Sequence, residues 1–111
     1  MTKIKEKAPF VTKKPCPIQV ILSILGGKWS FSIVYALLHG KKRFTELERS
    51  IEGINTRMLV KELKLMEEHG LVNRKVFPEI PPRVEYSLTA KGKHLQPVLN
   101  EFYKWGTRYA K

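Results

Sequence analysis

The sequence predicts a mainly α-helical domain with one small β-hairpin, and three observations predict it. Two short helical patterns lie on either side of Gly53, and the second is ended by Gly70. Directly after them come two β-rich runs, Val72 to Phe77 and Val84 to Leu88, joined by Pro78-Glu79-Ile80-Pro81-Pro82. Helical stretches flank this unit on both sides, and the second helix of the pair carries Arg57, Lys61 and Lys64 along one face. Helix, tight turn, helix and two-stranded wing, in that order, make a winged helix-turn-helix. Such a domain lays its second helix in a DNA groove and its hairpin beside it.

Residues 1–14 are a basic arm with Lys3, Lys5, Lys7, Lys13 and Lys14, and residues 15–111 form one domain with a modest core. The arm is a disordered tail, a segment packed on a partner subunit, or a run of cations tracking phosphates. Pro17 to Leu25 is a short helix with Ile18, Ile21, Leu22 and Leu25 on one face, broken by Gly26-Gly27. Trp29 to His39 is the next, with Trp29, Ile33, Ala36 and Leu37 as its core stripe and Gly40 at its end. Lys41-Lys42-Arg43-Phe44 offers a short strand to pair with the wing. Thr45 and Glu48 read as a capping box starting a short helix with Leu47 and Ile51 on one side.

Asn55 is a strong N-cap for a helix over residues 55–69, which Gly70 closes in a left-handed conformation. Met58, Leu59, Leu63 and Met66 recur at helical spacing and face the core, leaving Arg57, Lys61 and Lys64 on the opposite side. Glu67 and Glu68 occupy the last turn, so the cations lie toward the end that a recognition helix presents to base edges. The plainer alternative is a solvated face with pairs such as Lys64–Glu68. The wing covers residues 72–88. Its three prolines exclude the tip from a ladder, and Arg74, Lys75 and Arg83 flank it as phosphate contacts or as charges that block edge pairing.

Thr89 caps a last helix over residues 89–109 that carries Leu95, Val98, Leu99, Phe102, Trp105 and Tyr109 as one apolar stripe, with a kink expected at Pro97. Either the whole stripe packs on its own domain or part of it meets a partner helix. The second is favoured, because a small domain covers only part of a stripe this long. Together with Ile18, Ile21 and Leu22, these residues are the expected dimer interface. Two domains tied this way place their reading helices about 34 Å apart, one DNA turn.

Formal net charge is +11, which suggests a polyanionic partner. Arg43 to Leu88 nevertheless holds eight Lys/Arg and eight Glu, so the surplus sits in the flanks, +7 before this segment and +4 after it. No stretch approaches the roughly 18 apolar residues of a membrane span, and the Lys-rich start is no secretory signal. A cytoplasmic protein without a membrane association is the expectation.

Catalytic and metal chemistry find little footing. The chain has no Asp, and its three His (His39, His69 and His94) lack neighbours at metal-ligand spacing, so neither an enzyme nor a metal or cofactor is expected. Gly27-Lys28 lacks the first Gly and the Ser or Thr of a phosphate-binding loop. Cys16 is the exception. It stands at a helix N-cap before Pro17 and close to Lys13 and Lys14, a setting that favours a thiolate and makes it a candidate redox or electrophile sensor. An inert capping residue is the alternative.

In sequence the chain resembles the HxlR-type winged-helix transcription regulators, relatives of the MarR type. The resemblance rests on Cys16-Pro17, Gly26-Gly27-Lys28-Trp29, Arg43-Phe44-Thr45-Glu46-Leu47, Gly53-Ile54-Asn55-Thr56-Arg57-Met58-Leu59, Glu68-His69-Gly70-Leu71-Val72, Pro81-Pro82-Arg83-Val84-Glu85-Tyr86, Leu88-Thr89-Ala90-Lys91-Gly92 and Trp105-Gly106. Any one of these is weak; the ordered set, over residues 16–106, is specific. It implies a homodimer joined through the first and last helices, a recognition helix at about 55–69, a wing at about 72–88 and a pseudo-palindromic operator, with repression as the expected outcome. In several members the Cys matching Cys16 senses disulfide stress, quinones or aldehydes; others are not known to be redox-controlled. Asn55 and His69 depart from the usual Ser and Asp, and Asn55 bears on base preference because an amide pairs with adenine. The expected DNA contacts are Asn55, Thr56, Arg57, Lys61 and Lys64 on the helix, Arg74, Lys75 and Arg83 on the wing, and Lys28, Lys42 and Arg43 at helix starts. The other reading is a basic architectural or RNA-associated module without regulatory specificity.

Overall fold

Cys16 has extended backbone and Pro17 takes the favoured first position of α1 (Pro17–Leu25), in the computed structural model, which describes residues 16–110. The basic arm at 1–14 lies outside the described residues. Only Leu25 of α1 is buried, and Ile18, Ile21 and Leu22 stay exposed. α2 (Ser30–Leu38) begins one residue later than the sequence suggests and buries Ser30, Ile33, Val34 and Leu37. Trp29 and Ala36 are only partly buried against this core.

β1 (Lys42–Arg43) leads straight into α3 (Phe44–Ser50). The expected capping box is shifted by two residues: Arg43 is the N-cap, and its backbone N–H donates to the Glu46 carboxylate at 2.8 Å. Thr45 lies inside the helix instead, and Glu48 serves another contact, described below. α4 (Thr56–Glu68) is capped by Asn55, whose Oδ1 accepts from the Met58 N–H at 2.9 Å. Leu59, Leu63 and Met66 are buried, whereas Met58 is exposed, because it lies to one side of the buried arc rather than on it. Gly70 at φ +74° ends the helix: Leu71 N–H donates to the Met66 carbonyl and Gly70 N–H to that of Glu67, the Schellman pattern.

β2 (Val72–Phe77) and β3 (Arg83–Leu88) are antiparallel, with Val72 opposite Leu88 and Phe77 opposite Arg83. β1 adds to the other edge of β3, Lys42 opposite Tyr86, so the sheet order is β1-β3-β2. Tyr86 and Leu88 are buried, but β2 buries only Val72, so the hairpin leaves the core at its base and projects from it.

The final helix is broken, which corrects the sequence expectation. α5 (Ala90–Lys93) is one turn capped by Thr89, and α6 (Gln96–Tyr109) starts afresh, with Pro97 in its first turn and therefore no source of a kink. A side chain at Gly92 would stand 2.3 Å from the Leu71 carbonyl oxygen, so the residue must be glycine for α5 to sit on the end of α4. Leu99 is buried, and Leu95 is partly buried, in this chain's own core, not at an open face as expected for an interface residue. No single described helix is long and apolar enough to cross a membrane.

Candidate nucleic-acid interface

α3 and α4 are joined across their turn by a side-chain bond: Thr56 Oγ1 donates to Glu48 Oε2 at 2.6 Å. Thr56, expected near the groove, thus spends its hydroxyl hydrogen holding the two helices together. Asn55 Oδ1 is likewise engaged by the Met58 N–H. A bidentate contact to adenine needs that same oxygen, so the cap competes with base reading at Asn55.

Arg57, Lys61 and Lys64 are exposed on the outward side of α4, and none of them is in a salt bridge among the described residues. The Lys64–Glu68 pair of the plainer alternative does not form there either. Val60 shares this face, 45% exposed between Arg57 and Lys64. Sequence reasoning passed over it because one Val on a polar face carries no periodic signal. An apolar group there suits the methyl of thymine.

The wing cations do not act as one set. Strand alternation puts Arg74 on the side of Tyr86 and Lys75 on the side of Glu85. Arg74 and Lys64 line one groove between α4 and the sheet, with Val60, Phe44 and Val84 and one carboxylate, Glu67. Lys75 lies over the Phe77 ring on the other face, at 5.0 Å. Arg83 is occupied: it donates to Glu79 at 2.8 Å and to Glu85, and its guanidinium stacks 3.7 Å from the Phe77 centroid. The hydrogen bond from Arg83 holds the Glu79 carboxyl below the usual carboxylate range, and Arg83 is raised in turn. Arg83 therefore braces the hairpin rather than standing ready for a phosphate, because two carboxylates distant in pattern converge on it.

Of the cations at helix starts, Lys28 lies over the Trp29 ring at 4.9 Å, and Arg43 is exposed beside the wing tip. Lys42 instead lines a cavity of about 700 Å³ with Trp29, Tyr35, Phe102 and Tyr103, away from the outward face of α4. Lys91, absent from the expected set, donates to the His69 carbonyl at 2.9 Å, while Thr89 Oγ1 donates to that of Gly70 at 2.6 Å. These bonds place a cation at the C-terminus of α4 and fix it to the base of the wing.

The expected interface residues form two exposed apolar faces. On α6, Val98, Phe102, Trp105 and Tyr109 fall within a narrow arc at helical spacing, and α1 exposes Ile18, Ile21 and Leu22. Cys16, at the start of α1, is half-exposed, and its side chain makes no capping hydrogen bond. Among the described residues no group of His, Cys or Glu is placed to hold a metal ion.

Comparison with known proteins bears on the family and the fold. The family model for the HxlR-like helix-turn-helix matches residues 24–111. An uncharacterised HTH-type transcriptional regulator of Methanothermobacter thermautotrophicus is 46% identical over 94 residues, covering 85% of this chain and 72% of the relative. A crystal structure from Porphyromonas gingivalis W83, assigned as a MarR-family transcriptional regulator, superposes with a TM-score of 0.84 at 38% identity, over 89% of this chain and 97% of that one. The redox regulator HypR in its reduced form gives a TM-score of 0.80 at 39% identity, over 86% and 94%. The winged helix-turn-helix, the ordered motifs and these relatives agree: the chain belongs to the HxlR-like helix-turn-helix family and is a transcriptional regulator of helix-turn-helix type, not an enzyme.

Proposed function

We propose that this chain binds a pseudo-palindromic duplex operator as a homodimer and represses transcription from it. Residues 15–111 act as one domain, with α4 in the major groove, the wing beside it, and α1 and α6 joining the subunits. The observation that carries the reading is the sorting of surfaces. Arg57, Lys61 and Lys64 are exposed on the outward side of α4 and Arg74 shares a groove with Lys64, while α1 and α6 expose large apolar side chains instead. Arg57 and Lys61 read base edges, Lys64 and Arg74 pair with phosphates, and Lys28 and Arg43 contribute to the field at the edges of the site.

Cys16 supports a second layer. HypR, similar over most of this chain, is described as a redox regulator. As the only cysteine, Cys16 can form a disulfide only with another molecule: two Cys16 thiols give up two electrons and two protons to an oxidant, or one is capped by a small electrophile.

Selection of bound sequences from random duplexes, with and without diamide, tests both layers. A two-fold site with half-sites one turn apart is expected, with altered affinity in the oxidant arm that disappears in Cys16→Ser. Equal affinity for the recovered site and random duplex at matched salt would sink the specific reading in favour of an architectural role. A Cys16→Ser protein that still responds to diamide would remove the thiol from the account.

A further inference from the structure

Ile80 is 100% exposed, and among the described residues no other large apolar side chain is as open to solvent. The loop that carries it is nevertheless stiff. Pro78, Pro81 and Pro82 restrict its backbone, and Glu79 N–H donates to the Phe77 carbonyl at 2.8 Å. Arg83 ties Glu79 to Glu85 and stacks on Phe77, so the base of the loop is anchored and the Glu79 charge is matched by a cation. A braced tip whose end residue packs on nothing in its own chain holds that residue out for a partner.

We propose that Ile80 is an apolar contact to the minor groove of the bound duplex. The inference rests on duplex binding by α4 as proposed above. A strand of six residues at about 3.4 Å each carries the tip roughly 20 Å from the base of the hairpin. The major groove is about 12 Å wide, so a hairpin standing beside a helix in that groove reaches across the bordering phosphates. The next groove is the minor one, about 6 Å wide, which admits a side chain but not a helix. Isoleucine and proline are among the apolar residues that enter it at base steps. Arg43, exposed in the same concavity as Ile80, is the cation placed to meet the phosphates that border this groove.

Apolar and ionic contacts differ in salt dependence, and that difference tests the proposal. The full chain and its Ile80→Ala variant are titrated with the duplex recovered by selection, over a range of salt concentrations. Since Ile80 makes no internal packing contact, the variant should melt with the parent. Its affinity should fall on the order of tenfold per wing, with an unchanged slope of log K against log salt, because losing an apolar contact changes no counterion release. Hydroxyl-radical protection of minor-groove sugars at the site's edges should be lost, while methylation protection of guanine N7 in the major groove persists. Parental affinity and footprint in Ile80→Ala overturn the proposal. A loss of affinity with a shallower slope overturns it too, since the contact would then be ionic. A parent chain that fails to prefer the selected duplex removes the reading of α4 first, and the Ile80 assignment with it.

Discussion

Replacing Trp105 by Glu should convert the protein to a monomer, and the size of the effect follows from its surface. Phe102, Trp105 and Tyr109 are 56%, 61% and 60% exposed along one side of α6. An aromatic side chain buries about 150–250 Å² in full, so each of these offers on the order of 100–150 Å² to a partner. With Val98 and with Ile18, Ile21 and Leu22 of α1, one subunit presents roughly 600–700 Å², close to the roughly 800 Å² per partner of a stable interface. Trp105 alone then contributes about 3 kcal/mol at 25 cal/mol per Å². Two-fold symmetry counts it twice, so Trp105→Glu weakens association by about 6 kcal/mol, or some four orders of magnitude in Kd. Burying a carboxylate in its place costs more still. Sedimentation equilibrium over a wide range of protein concentration measures this directly. Asn100→Ala, exposed on the far side of α6 from Trp105, serves as the control and should leave association intact. Circular dichroism should show a folded Trp105→Glu chain, because the side chain contributes little to its own core. A Trp105→Glu protein that dimerises with the parental Kd would refute the assigned interface.

Arg57→Ala should cost about 1–3 kcal/mol in operator binding and relax base preference at one position per half-site, read from selection with the variant. Asn55→Ala removes the cap of α4 and should destabilise the fold by about 1 kcal/mol, a fall in Tm of roughly 4–8 °C for a domain of this size. The brace at the wing tip should depend on pH. The bond from Arg83 lowers the Glu79 pKa, so the brace is complete above the ordinary carboxylate range and is lost as pH falls through the lowered value. Side-chain NMR of Arg83 should follow that acid transition, and Glu79→Gln should diminish it, with Glu85 still paired to Arg83.

The elements were legible in the sequence because each is announced locally: Asn55 and Thr89 as caps, Gly70 as a stop, alternation in β3, Pro78 to Pro82 as a tip. What escaped was set by contacts between segments. Thr45 and Glu48 have the spacing of a capping box, yet Arg43 and Glu46 form the cap, because β1 pairing holds Arg43 extended and α3 must begin directly after it. A stripe running from Leu95 to Tyr109 suggests one helix, but the packing of Gly92 against Leu71 turns the chain before α6 begins. Nothing local to Lys91 announces its bond to the His69 carbonyl, which exists only once the fold brings the two together. The candidate site was legible as a set of cations, not as a geometry.

That difference has a measurable consequence. Arg74, Lys75 and Arg83 look alike in the sequence, as three charges flanking a tip. In the folded hairpin Arg74 shares a groove with Lys64, Lys75 lies on the opposite face, and Arg83 is matched by two carboxylates. Only Arg74 adds to the counterions released by α4. With Lys64, Arg74 and Arg43 each meeting a phosphate, a dimer engages about six phosphates, and the slope of log K against log salt should be near −5. Arg74→Ala should flatten that slope by nearly 2, one cation from each subunit, while Lys75→Ala should leave it close to the parent value. If the two variants flatten it equally, the sheet face is not what separates them, and the hairpin must meet the duplex edge-on rather than with its α4 side.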